Sequence, residues 1–222
     1  MISATKSTSV TISIHNLNKH IDTAFNTANT VAVVLSINSP GGSPVQSELI
    51  YKKIRNMATK KKIPVLSFIE DVGASGGYML ACAGDEIYAS KSSIVGSIGV
   101  IASGFGFKDF IAKHGIERRV FTQGQNKNIL DPFKEIKDTD VNILNAVSND
   151  LHKNFIDIVK TSRKNKIDPN NNELFSGIFY SGGTAKQHGL IDGTDNMYEL
   201  IESKFGADVE IKIVKEKRRG HL

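Results

Sequence analysis

Two glycine clusters bracket the chemistry this chain could perform. "SINSPGGS" (36–43) closes an apolar run with a proline and two glycines, and "DVGASGGYM" (71–79) closes a second run with a serine among glycines. Glycine amides have no side chain beside them, so Gly41 and Gly42 can bring N–H groups close to a substrate. Acyl transfer needs such donors aimed at the oxygen that becomes negative. Ser75 stands at the start of a helical stretch, where the following amide, that of Gly76, lacks an intrahelical partner. The pattern therefore offers Ser75 as nucleophile, with the amides of Gly42 and Gly76 as an oxyanion hole. Each part also has a plainer use. Serine before a helix is commonly an N-cap, "SPGG" is a common turn, and a single G-x-S-x-G is weak.

A serine hydroxyl needs a base to become a nucleophile. The six histidines are His15, His20, His114, His152, His188 and His221. His114 and His188 each precede a helix-ending glycine, where histidine serves the helix C-terminus, and none stands beside a turn with an evident acidic partner. A lysine base must lose its proton near neutral pH, which requires apolar surroundings. Lys127, in the turn-rich "TQGQNKNILDPF" (122–133), is a candidate, although by its local sequence alone it reads as a surface lysine. Cys82 reads as a small core residue whose thiol is made inert by burial.

The elements that must hold these residues follow from periodicity. "TVAVVLSI" (30–37) and "IPVLSFI" (63–69) read as strands buried on both faces. Between them, 43–61 forms a helix with Pro44 in its first turn and Val45, Leu49, Ile50, Ile54 and Met57 on one face. A short helix then precedes a strand around "EIYA" (86–89), a turn and strand covers 94–102, a helix covers 107–115 and a strand covers 116–122. A long amphipathic helix spans about 138–166, short helices follow near 184–189 and 197–206, and "EIKIV" opens a last strand before a basic tail. Strand–helix alternation implies an α/β fold with a largely parallel sheet and flanking helices. Reactive groups then collect beyond the carboxyl ends of the strands, where both glycine clusters fall. Ala74, Met79, Leu80, Val95 and Ile98 are candidates for an apolar cleft around the turns.

The 222 residues show no internal repeat and suit one domain over 1–222, with a basic tail from about 212 to 222. The net charge of +5 is spread along the chain, which fits a solvated surface and not a nucleic-acid stripe. One cysteine excludes an internal disulfide. No apolar run approaches the roughly 20 residues that span a bilayer, and "MISATKSTSVTISI" lacks the apolar core of a secretion signal. The expected location is cytoplasmic or membrane-associated, the latter through a tail able to touch anionic lipid or an anchor upstream.

Taken together and in order, "SINSPGGSP", "ASGGYMLACAGDEIYAS", "IVGSIGVI" and "GQNKNILDPF" resemble the signal peptide peptidase A (SppA/SohB) family of serine–lysine proteases over residues 30–195. The resemblance implies a crotonase/ClpP-like spiral of βαβ units. It implies Ser75 as nucleophile, Lys127 as general base, Ser97 as the residue orienting that lysine, and Gly42 with Gly76 as the oxyanion hole, without cofactor or metal. "LFSGIFYSGGTAKQHGLID" is similar to the family's C-terminal stretch, with "SGGT" where a bulkier aromatic variant is usual. The chain resembles the short form of the family, which implies a ring-shaped homo-oligomer with sites shared between neighbours, acting on hydrophobic peptides such as signal-peptide remnants. Two other readings stay open here: an esterase of the α/β-hydrolase type using Asp168 and His188, and a non-catalytic or acyl-CoA-binding relative.

Overall fold

The structure is a computed structural model that describes residues 2–3 and 12–214. Contacts divide the chain into two compact units, Met1–Gly99 with Phe155–Leu222, and Val100–Asn154.

The first unit is an α/β layer structure. Its elements are β1 (Ile2–Ser3), α1 (Ile14–Asn26), β2 (Val33–Ser39), α2 (Pro44–Lys61), β3 (Val65–Ala74), α3 (Gly76–Ala81), β4 (Glu86–Ala89) and β5 (Ile94–Gly96). The sheet is mostly parallel, in the order β1-β2-β3-β5, and β4 also pairs with β3. β3 is long enough to serve two strands in succession: Leu66–Ile69 pair with β4 and Val72–Ala74 with β5. The register of β2 on β3 slips between Ile37 and Ser39, so that Ser39 faces Gly73. That slip brings the carboxyl end of β2 level with the end of β3, where Ser75 begins the next turn.

Local sequence explains the helix limits. Ser43 caps α2 by accepting from the Gln46 N–H, Pro44 stands at its first position, and Lys62 ends it in the left-handed region. The buried face of α2 is Ser47, Ile50, Ile54 and Ala58. Val45 and Leu49, expected on that face, are exposed. The buried row runs through Ser47 and not Val45 because α2 packs on α3, where a Cβ on Gly76 would lie 2.5 Å from the Ser47 Oγ. Ile37, Ile50, Ile54, Val65, Ile87 and Val95 are fully buried in the main cluster, each side chain contributing about 1.5–3 kcal/mol through the water it leaves. On the other face of the sheet, Leu66, Phe68 and Tyr88 form a second cluster.

The second unit holds α4 (Lys108–Lys113) and the start of α5 (Asp138–Arg163). Much of the rest is irregular, tied by the Arg118–Asp131 ion pair at 2.8 Å and by Arg118 lying 5.0 Å over the Phe133 ring. The strand expected at 116–122 is absent. Its residues favour β-structure, but no described strand offers them a ladder, and Ile116 and Phe121 are exposed.

From Phe155 the chain belongs to the first unit again. β6 (Phe179–Ser181) adds to β5 antiparallel, at the edge of a sheet that is largely parallel as expected from sequence, and α6 (Gly182–Gln187) and α7 (Met197–Phe205) follow. Met197, Leu200 and Phe205 pack on the second cluster. Asp192 joins distant parts: it pairs with Arg163 at 2.8 Å and accepts the Ile87 N–H at 2.8 Å. The Tyr78 hydroxyl donates to the Leu190 carbonyl nearby at 2.7 Å. The last strand expected near 210 is not formed over 210–214, and the remainder of the basic tail lies outside the described residues. No helix among the described residues is long and apolar enough to cross a membrane.

Candidate active site

The two glycine turns meet at the carboxyl ends of β2 and β3. Gly41 and Gly42 adopt φ of 115° and 151°, a region that L side chains rarely enter. Space as well as conformation selects glycine at 41. A Cβ there would lie 2.7 Å from the Ser75 Cβ and 3.0 Å from the Gly76 nitrogen. At Gly42 nothing lies within 4 Å of such an atom, so this glycine faces open space. A Cβ on Gly76 would sit 3.3 Å from the Gly42 nitrogen and 2.5 Å from the Ser47 Oγ. The Gly42 amide, the Gly76 amide and Ser75 thus share one small region, and neither amide has a hydrogen-bond partner among the described residues.

Ser75 occupies the position before α3 but is not its cap. Its backbone has φ 51° and ψ −123°, and its side chain accepts no cap hydrogen bond. A helix N-cap normally sits in the extended region with its oxygen bonded to a first-turn amide. Positive φ at a non-glycine residue is strained, and such strain persists only where surrounding structure enforces it. Here the Ser75 N–H is held by the Gly96 carbonyl at 2.8 Å and the Ser75 carbonyl accepts from the Met79 N–H at 3.0 Å. The hydroxyl is left half-buried beside the glycine pair.

Ser97 follows β5 by one residue, also at positive φ (52°), with its N–H bonded to the Ile178 carbonyl at 2.9 Å. Gly96 links the two serines, since its carbonyl takes the Ser75 N–H. Gly42, Ser75, Gly76 and Ser97 all belong to the first unit. Lys127 belongs to the second, exposed in a turn where its N–H bonds the Gly124 carbonyl at 3.1 Å.

Several sequence-level candidates take other places. Ala74, Met79, Leu80, Val95 and Ile98 are all buried, so they are core and not cleft lining. Cys82 is buried too, and burial pushes its thiol up to about 12. Among the described residues Asp168 and His188 make no bond to each other. Asp168 accepts the Asn170 N–H within its own loop, and His188 lies against the Tyr180 ring at 4.8 Å. Sequence reading passed over Ser39 and Ser47, whose hydroxyls flank the glycine turns. Their signal was present as short polar residues at the end of a buried strand and on the buried face of a helix.

Comparison with known proteins identifies the family of the chain. The sequence pattern of peptidase family S49 matches residues 57–209, which contain Ser75, Ser97, Lys127 and Asp192. A Brucella melitensis protein named as the Na(+)/H(+) antiporter NhaA is 47% identical over 208 residues, covering 94% of this chain and 28% of that one. A Methanocaldococcus jannaschii chain, whose name marks it a candidate protease, is 35% identical over 160 residues, 72% of this chain and 50% of its own. The chloroplastic serine protease SPPA of Arabidopsis thaliana is 29% identical over 171 residues, 77% of this chain and 25% of its own. This chain therefore spans between a quarter and a half of the length of these relatives. With the pattern running through the strained serine turn and the strands on either side of it, the chain belongs to peptidase family S49.

Proposed function

We propose that the chain is a serine endopeptidase in which Ser75 attacks a peptide carbonyl and Lys127 is the general base. The observation that carries this reading is the Ser75 hydroxyl, freed from capping by a strained backbone and set beside two amides with no hydrogen-bond partner among the described residues. In this reading an uncharged Lys127 amine takes the Ser75 proton as Oγ bonds to the carbonyl carbon. The oxygen becomes an anion held by the Gly42 and Gly76 N–H groups, a stabilisation of about 3–4 kcal/mol per donor. Lys127 then protonates the leaving amine, and water releases the acyl group from Ser75. Ser97 orients the amine.

Lys127 is exposed in the single chain. An amine so placed gains apolar surroundings only when something covers it, which supports activity in a ring-shaped homo-oligomer rather than in one copy. Exposed Val45 and Leu49, one turn apart at the start of α2 beside the glycine pair, support hydrophobic peptides as substrates. The Brucella relative, with a segment like this chain inside a protein named as an antiporter, supports a place of work beside a membrane.

The test compares Ser75→Ala, Lys127→Ala and His188→Ala in peptide and ester hydrolysis by the assembled protein. Loss of at least about a thousandfold with the serine and lysine variants, and none with His188→Ala, is the expected outcome. Loss with His188→Ala but not Lys127→Ala would instead support a histidine-based esterase. No hydrolysis by wild type would favour an acyl-binding role for the same amides.

A further inference from the structure

The oxyanion loop of this peptidase reading is aimed by a residue that lies outside it. Ser39 is the last residue of β2 and only 3% exposed. Its hydroxyl accepts the Gly41 N–H at 3.2 Å. Its carbonyl and Cβ lie where a Cβ on Gly77 would be, at 2.4 and 3.1 Å, so Ser39 also packs directly on the first turn of α3. One residue thus touches both turns that supply the amides. Pro40 has no N–H to offer, and the far end of the loop is fixed by Ser43 as the α2 cap. With the Gly41 N–H turned back to Ser39, Gly42 is the glycine of the pair whose N–H is left for a ligand.

We infer that Ser39 is a positioning residue for the oxyanion hole. Its buried hydroxyl withdraws the Gly41 N–H from the site and so fixes the peptide plane that presents the Gly42 N–H. The inference rests on the peptidase reading above. Without the acceptor, the Gly41 amide is unpaired in a half-buried place, and two glycines with wide backbone freedom can turn to pair it. The Gly42 N–H then leaves its line. Removing an oxyanion donor costs about 10²–10³ in turnover, so misaiming one by about 1 Å is expected to cost about 10–100-fold.

The experiment compares Ser39→Ala and Ser39→Cys with wild type in the assembled protein. It measures kcat and KM on an apolar peptide, inhibition by a peptide boronic acid that forms a tetrahedral adduct, and thermal unfolding. Ser39→Ala is expected to lower kcat about 10–100-fold with KM within about twofold and to weaken the boronic acid by a similar factor. Ser39→Cys, which keeps a weaker acceptor at similar volume, falls between. Amide exchange of Gly41 quickens in Ser39→Ala, whereas that of Gly42 is fast in both. Turnover of Ser39→Ala within twofold of an active wild type overturns the inference and leaves the peptidase reading standing. So does a loss that follows a fall in unfolding temperature or a shared rise in KM. A wild type that hydrolyses nothing overturns both.

Discussion

Ser75 owes its availability to what its neighbours do with the backbone. Gly96 holds its N–H and Met79 its carbonyl, and the side chain is left without a capping partner. Removing the hydroxyl should therefore cost activity and not stability: Ser75→Ala is expected to unfold within about 0.5 kcal/mol of wild type, unlike a true cap, which costs about 1 kcal/mol. Urea denaturation checks this. Gly41 behaves in the opposite way. Gly41→Ala places a methyl 2.7 Å from the Ser75 Cβ at a φ of 115°, so the turn must move. Turnover is expected to fall by about 10²-fold or more, with a stability loss of about 1–3 kcal/mol, measured by kinetics and unfolding in parallel.

At the scale of elements, the Asp192 carboxylate joins β4 to the end of α5. Burial works to raise its pKa, but the bonds from Arg163, Lys166 and the Ile87 N–H together hold it below the ordinary carboxylate value. The Arg163 side chain is wholly buried. Asp192→Asn leaves that cation without its partner and is expected to cost about 3–5 kcal/mol at pH 7. A carboxyl with a lowered folded pKa contributes fully above its unfolded value, about 4, and loses that contribution as pH falls through the folded value. The gap between wild type and Asp192→Asn should therefore be constant from pH 7 to about 5 and shrink below about 4. Urea unfolding across that range measures it.

At the scale of the whole molecule, the second unit carries apolar side chains that are nearly bare: Phe121 is 94% exposed, Ile101 87% and Phe105 81%. Isolated exposed apolar residues are ordinary, but so many in one segment mark surface made for contact. In the proposed homo-oligomer, these residues meet a second copy of the chain. Replacing Ile101, Phe105 and Phe121 together by serine is expected to shift the assembly toward smaller species by light scattering, with activity falling at least about tenfold. An unchanged mass would place the subunit contact elsewhere.

The two strand–turn–helix units and their glycines were legible from sequence because their causes are local. β-branched runs, a proline at the first helical position, serine caps and glycine pairs act within a few residues. Candidate site residues 42, 75 and 76 followed from the same local rules, whereas Lys127 was a candidate from its loop that only resemblance raised above a surface lysine, and Ser97 was reached only through resemblance. What tertiary structure alone decided depends on partners far along the chain. The register slip opposite Gly73 sets where the glycine loop begins, and the Gly96 carbonyl on β5 holds the N–H of Ser75, which stands outside the cap conformation. β6 finds β5 across more than eighty residues and reverses direction, whereas 116–122, also rich in β-branched and aromatic residues, finds no partner strand among the described residues and stays irregular. Which amide is paired and which is free, the property on which the proposed chemistry turns, follows from the short-range bond of the Gly41 N–H to Ser39, and the place of Ser39 beside both turns is set by the register of β2 on β3.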